Sequence, residues 1–109
     1  MIIELVSISA MNGNKEGIGK ALISLIGPMR VEPGCLSCRL YEAVPENDQF
    51  EVVARWQSEQ DLISHLQSDL YKRLLLLMEL SSEPPVVEFY TVLEFRGLEL
   101  VECARKPSS

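Results

Sequence analysis

His65 is the only histidine in the chain, and an imidazole, with an unperturbed pKa of about 6.5, is the side chain best suited to move a proton near neutral pH. It is the first candidate for acid-base work. The plainer role is a histidine at a helix turn bonding a backbone carbonyl, because no neighbour in sequence supplies an orienting partner. One histidine cannot build a metal site, which needs three or four ligands. Trp56 lies where a strand gives way to a helical segment, so its ring could wall a pocket and its indole N–H could orient a substrate oxygen, or it could simply anchor the core. Tyr41 and Tyr71 offer phenols able to hydrogen-bond a quinone or phenol, or else they are half-buried with their hydroxyls in water. Arg39 and Arg55 fall on opposite members of a predicted hairpin; they could bind a substrate anion, though a salt bridge to Glu51 or Glu42 is the simpler expectation. Cys35 and Cys38 form Cys-x-x-Cys, but residues three apart on a strand point to opposite faces, which disfavours a shared metal or a disulfide. No Gly-rich phosphate loop joins a strand to a helix.

The elements that must position these residues follow from hydropathy and turn chemistry. Residues 2–9, rich in Ile, Val and Leu, read as a strand. Met11-Asn12-Gly13-Asn14 is a turn, after which Ile18, Leu22, Leu25, Ile26 and Met29 recur on one face of a helix over residues 15–31, in which Pro28 removes one intrahelical donor and allows a kink or early end near Gly27. Glu32-Pro33-Gly34 stops it. Alternation over 35–44 and 50–56, joined by Pro45-Glu46-Asn47-Asp48, gives a hairpin. Ser58 and Ser68 are caps for a short helix and a longer one, the longer apolar on more than one face and in need of cover on two sides. Glu83-Pro84-Pro85 precedes a last strand over 86–95, and the tail from Gly97 carries a further apolar patch before it frays.

This order, strand-helix-strand-strand-helix-strand, is the α+β, ferredoxin-like βαββαβ arrangement: a four-stranded antiparallel sheet with helices on one face. Several strands carry apolar residues on both faces, so the uncovered face predicts a homodimer. Residues 1–96 form the domain, and 97–109 a C-terminal extension that could contact the partner. The net charge of -6, from 10 Lys plus Arg against 16 Asp plus Glu, argues against nucleic acid and anionic lipid. The longest apolar run, five residues from Leu74 to Met78, is far short of the roughly 20 that cross a bilayer. Met1-Ile2-Ile3-Glu4-Leu5 lacks the basic leader of a secretory signal, and three cysteines, an odd set, fit a reducing cytoplasm.

Glu32-Pro33-Gly34-Cys35-Leu36 before a strand, Val53-Ala54-Arg55-Trp56 closing the hairpin and Ser64-His65-Leu66-Gln67-Ser68 in the next helical segment resemble the antibiotic biosynthesis monooxygenase-like domains of the dimeric α/β-barrel superfamily. The resemblance implies a homodimer whose sheets pack or join into a barrel, and a pocket between sheet and helices in each subunit. It implies a cofactor-independent monooxygenase that oxidises a small aromatic or quinol-type substrate with dioxygen, His65 accepting a phenolic proton and Trp56, Tyr71, Tyr41 and Arg39 binding the substrate. No cofactor or metal is called for. A non-catalytic dimeric ligand-binding or stress-related protein and an isomerase of a small metabolite are the alternatives that the same fold allows. The haem-degrading branch uses an Asn, a Trp and a His at positions held here by Val6, His65 and Leu75, so that signature is missing.

Overall fold

The computed structural model describes residues 1–109 apart from Asn12, Glu46, Asn47, Ser108 and Ser109. The turns expected at 11–14 and 45–48 and the fraying of the last two residues therefore fall partly outside the described residues.

The elements run β1 (Ile2–Ser9), α1 (Lys15–Arg30), β2 (Cys35–Glu42), β3 (Gln49–Trp56), α2 (Glu59–Leu66), α3 (Asp69–Met78), β4 (Val86–Thr91) and α4 (Leu98–Ala104). The strands form one antiparallel sheet in the order β2-β3-β1-β4. This is the α+β, ferredoxin-like fold that the element order predicts.

Alternation decides which side chains face the helices. Ile2, Glu4, Val6 and Ile8 of β1 and Phe50, Val52, Ala54 and Trp56 of β3 are buried beneath the helical layer. From above, α1 delivers Ile18, Leu22, Leu25, Ile26 and Met29, the stripe its spacing predicts. Pro28 sits inside α1 without ending it, and the helix runs on to Arg30. Gly19 is buried against Phe50, whose ring lies where a larger side chain would begin. In α3 only Tyr71, Leu74 and Met78 are buried, whereas Leu75 and Leu76 are exposed, so one of the two apolar sides of this helix has no cover within the chain.

Two boundaries differ from the sequence expectation for identifiable reasons. The last strand stops at Thr91, not residue 95, because its partner begins at Ile2 opposite Thr91 and the Val92 N–H makes a final bond to the Met1 carbonyl; no strand remains beyond it. The second strand ends at Glu42, not residue 44, once Ala43 N–H bonds the Gln49 carbonyl and closes the ladder. The tail is also more ordered than expected, with α4 formed by Leu98–Ala104. It projects from the domain, so that the chain's principal extents are 58 × 35 × 22 Å, and leaves Leu93 94% exposed. No helix among the described residues is long and apolar enough to cross a membrane.

Candidate functional site

Glu4 lies on the inward face of β1, two residues from Ile2 and two from Val6, and its carboxylate is fully buried. An ionisable group there must be matched by a partner. On the neighbouring strand Trp56 provides one: its indole Nε1 donates to Glu4 Oε1 at 3.0 Å.

The second partner comes from α2. The Ser58 hydroxyl accepts from the Asp61 N–H at the start of that helix, and the Ser68 hydroxyl accepts from the Tyr71 N–H at the start of α3. Both serines cap as their positions predict. Ser68 also donates to the His65 carbonyl, by its hydroxyl at 2.7 Å and its N–H at 3.0 Å, which fixes the end of α2 and aims His65 inward. The imidazole is 1% exposed. Its Nε2 lies 3.1 Å from Glu4 Oε1, close enough for an ion pair but outside hydrogen-bond alignment, so charge attraction holds that contact. Glu4 Oε2 is buried without a hydrogen-bond partner among the described residues.

The second carboxylate belongs to the turn after α1. Gly34 takes φ 79° there, a conformation that glycine adopts without strain, and Asp61 packs where its Cβ would be. This tight turn returns Glu32 over the site, where both of its carboxylate oxygens stand 3.2 Å from His65 Nδ1. The Glu32 side chain retains 16% exposure, so one end of the row Glu32–His65–Glu4 touches solvent while the other is sealed.

Aromatic rings close the remaining sides. Trp56 stacks on His65 with centroids 4.3 Å apart, and Tyr71 meets the imidazole edge-on at 5.1 Å. Burial alone would push the imidazole pKa down, but the carboxylates of Glu4 and Glu32 outweigh it and raise it above the ordinary 6.5. The stacked indole favours the same charged form. Burial, and secondarily the Glu4 charge, raises the Tyr71 phenol, which therefore keeps its proton. What the cluster can do is hold a proton on His65 and pass it between a sealed carboxylate and one that reaches water.

His65, Trp56 and Tyr71 are thus brought together, as a substrate site would require. Tyr41 and Arg39 are not: they lie on the opposite face of the sheet, because the alternation that buries Cys38 on β2 turns its neighbours outward. Salt bridges from Arg39 and Arg55 to Glu51 or Glu42 are not formed. Glu42 pairs with Lys15, Glu51 accepts from Ser7, and neither arginine has an ion pair among the described residues. The two arginines instead line a recess of about 300 Å³ with Ser37, Tyr41 and Val53. Larger recesses lie between α1 and β2, one of about 520 Å³ lined by Ile23, Ile26, Gly27, Arg30 and Leu40. Among the described residues no group of three or more His, Cys, Asp or Glu side chains could hold a metal ion. Cys35, Cys38 and Cys103 are unpaired, and burial first, then the Cys35 charge, pushes the Cys38 thiol up to about 12.

Glu4 and Glu32 are absent from the sequence candidates for this site. The signal for Glu4 was its parity: a carboxylate in step with Ile2, Val6 and Ile8 must face the core. Glu32 had no comparable signal, since a glutamate before Pro-Gly reads as solvated turn.

The sequence profile of the antibiotic biosynthesis monooxygenase family matches residues 1–75. The chain belongs to the antibiotic biosynthesis monooxygenase family. The matched segment contains every member of the buried cluster, from Glu4 to Tyr71. Solved structures agree in fold. A candidate antibiotic biosynthesis monooxygenase from Deinococcus radiodurans superposes with TM-score 0.81 at 19% identity, over 89% of this chain and 97% of that one. Rv0793 from Mycobacterium tuberculosis gives 0.79 at 23% identity, over 88% and 98%. SO0527 from Shewanella oneidensis gives 0.74 at 26% identity, over 82% and 87%. No curated protein matches the chain.

Proposed function

We propose that this member of the antibiotic biosynthesis monooxygenase family is a cytoplasmic homodimer that oxidises a small aromatic or quinol-type substrate with dioxygen and without a prosthetic group. The observation that carries the reading is the imidazole of His65 held between two carboxylates in a dry site. A charged cluster costs several kcal/mol to desolvate and stabilises a fold less well than packed hydrocarbon of the same volume, on the order of 1–4 kcal/mol less, so its presence points to proton chemistry. In this scheme an electron-rich phenolic substrate loses a proton to the cluster and reduces dioxygen directly. For a ring methylene the balance is one CH₂ and one O₂ giving one C=O and one H₂O: one substrate electron pair reduces the oxygen that enters the C=O, and the other pair, with the two protons, reduces the oxygen that leaves as water. His65 carries the proton, Glu32 passes it to solvent, and Trp56 and Tyr71 stack against the ring. Arg39 and Tyr41, on the far face, are better placed to meet a partner than this substrate.

The charge state of His65 decides the direction. With its pKa raised, the imidazole holds its proton to a higher pH than a free one does, and becomes a base only after releasing that proton through Glu32. Turnover that depends on the base form rises toward alkaline pH. Dioxygen uptake measured across a panel of quinols and polycyclic phenols tests the reading. Uptake above background that His65→Gln abolishes and Glu32→Gln slows supports it; equal uptake by wild type and His65→Gln removes the histidine from the reaction.

A non-catalytic, ligand-binding role is the second reading, and one observation favours it: the imidazole is sealed by Trp56, Tyr71 and Glu4, so an aromatic substrate reaches it only if the α2–α3 segment moves. Uptake that never exceeds background across the panel selects this reading. The homodimer belongs to both. The outer face of the sheet presents Ile3, Leu5 and Val53 beneath no helix, and β4 is exposed on both sides. Hiding such a face calls for a contact above about 1,200 Å² in total.

A further inference from the structure

The tail beyond β4 forms a helix without burying any of it. α4 has seven residues and none is buried, nor is any of residues 92–97 that link it to β4. A helix that short is not stable in water by itself and draws its stability from packing an apolar face. α4 has such a face: Leu98, Val101 and Ala104 follow one another along one side, with Leu100 a turn before Ala104, while Glu99 and Glu102 stand together on the other. Leu98, Leu100 and Val101 are between 44% and 69% exposed.

The helical layer has the complementary defect. On its solvent side Ala21, Ser24 and Leu25 of α1 and Arg73, Leu76 and Leu77 of α3 line a recess of about 260 Å³. Leu76 and, one turn on, Leu80 stand open on the side of α3 turned away from the core. Ala21 and Ser24 are short, so between α1 and α3 runs a groove into which the side chains of a third helix can fit. Its charge suits an acidic helix: Arg73 has no ion pair among the described residues, and neither has Glu102 of α4.

We infer that the α4 arm of one copy docks in the α1–α3 groove of a second copy, its apolar side over Leu76 and Leu80 and its acidic flank toward Arg73. The arm stands away from its own domain along the 58 Å long axis of the chain, placed to meet a neighbour and not its own groove. Two copies that exchange arms about a twofold axis close the contact, each giving one helix and receiving one. This contact lies on the helical side of the domain, apart from the uncovered sheet face, and depends neither on the homodimer nor on the chemistry proposed above. The arm also lies outside the segment that the family profile matches.

Mixed-copy crosslinking tests it. In a Cys35→Ser background, one chain keeps the natural Cys103, which shares the acidic side of α4 with Glu99, and the other carries Cys103→Ser and Ser24→Cys. A short bismaleimide is expected to join the two into a mixed pair, identified by mass, and Leu76→Glu in the groove chain is expected to lower that product about tenfold or more. If no mixed pair forms while a single chain holding both Cys103 and Ser24→Cys closes on itself, the arm serves its own groove and the inference is overturned. No product in either case shows that α4 does not enter this groove, and overturns it too. Hydrogen exchange reads the contact without engineered cysteines: the α4 amides are expected to be protected in the wild-type chain and to lose about tenfold or more of that protection in Leu76→Glu/Leu80→Glu, two changes at exposed positions that leave the core intact. Equal exchange in both chains refutes the docking.

Discussion

Trp56 and Glu4, 52 residues apart in the chain, meet across the β1–β3 ladder through a 3.0 Å hydrogen bond from indole to buried carboxylate. The bond fixes the carboxylate under the imidazole of His65, and the same indole stacks on that imidazole. One side chain thus serves both ends of the pair.

Trp56→Phe separates these two roles. The ring remains able to stack, but the donor to Glu4 Oε1 is lost and the carboxylate is left with a charge contact alone. Unfolding by urea is expected to show a loss of about 1–3 kcal/mol, the cost of stripping a buried acceptor of its donor. A midpoint equal to wild type would mean that the indole bond is replaced without loss.

The raised pKa of His65 makes stability depend on pH in a definite direction. The folded imidazole binds its proton more tightly than the unfolded one, so this contribution is fully present below the unfolded value of about 6.5 and is lost as pH rises through the higher folded value. Denaturant unfolding of wild type and His65→Gln between about pH 5 and pH 9 reads it, since subtracting the two curves cancels the other titrating groups. The difference is expected to favour wild type most at the acid end and to shrink with rising pH. Parallel curves, or a difference that grows with pH, would contradict the assignment.

Much of this was legible in the sequence, and the exceptions have physical reasons. The inward stripe of α1, the serine caps of α2 and α3 and the Pro-Gly turn are local signals, and each lies where its pattern places it. His65 and Trp56 were candidates from their chemistry alone. The pairing of Glu4 and Glu32 with His65 was not visible, because three segments separated by long stretches of chain converge there and no local pattern records such convergence. The last strand is shorter than its alternation for a similar reason: Leu93 and Phe95 continue the pattern, but a strand needs a neighbour, and the pairing with β1 ends at Ile2 opposite Thr91. The ion pairs expected of Arg39 and Arg55 do not form because Glu42 meets Lys15 of α1 and Glu51 accepts from Ser7 of β1, partners from other elements that the hairpin sequence alone does not announce.

Gly34→Ala tests the turn that carries Glu32. A side chain there meets the Asp61 carboxylate, which is itself held by the Ser58 hydroxyl at 2.8 Å, and the positive φ adds its own cost. A destabilisation above about 1 kcal/mol is expected. Adding Asp61→Ala should relieve the collision while leaving the backbone cost. Unchanged thermal unfolding of Gly34→Ala would show that the turn relaxes freely.

The cysteines should label in an order set by burial. Cys103 is exposed, whereas Cys38 is buried with a thiol pushed up to about 12 and so carries almost no thiolate near neutrality. Alkylation followed by mass spectrometry is expected to modify Cys103 rapidly and Cys38 only on unfolding. Equal rates at the two sites would mean that the sheet–helix core opens readily.

The proton on His65 can be observed directly. The chain has one imidazole, so its ring resonances in a ¹⁵N-edited NMR titration report a single site without assignment ambiguity. The two flanking carboxylates predict a midpoint above 6.5 that falls when Glu32 is changed to Gln. A midpoint at or below 6.5 in the wild-type protein would show that burial prevails over both glutamates, and the row could not hold the proton assigned to it.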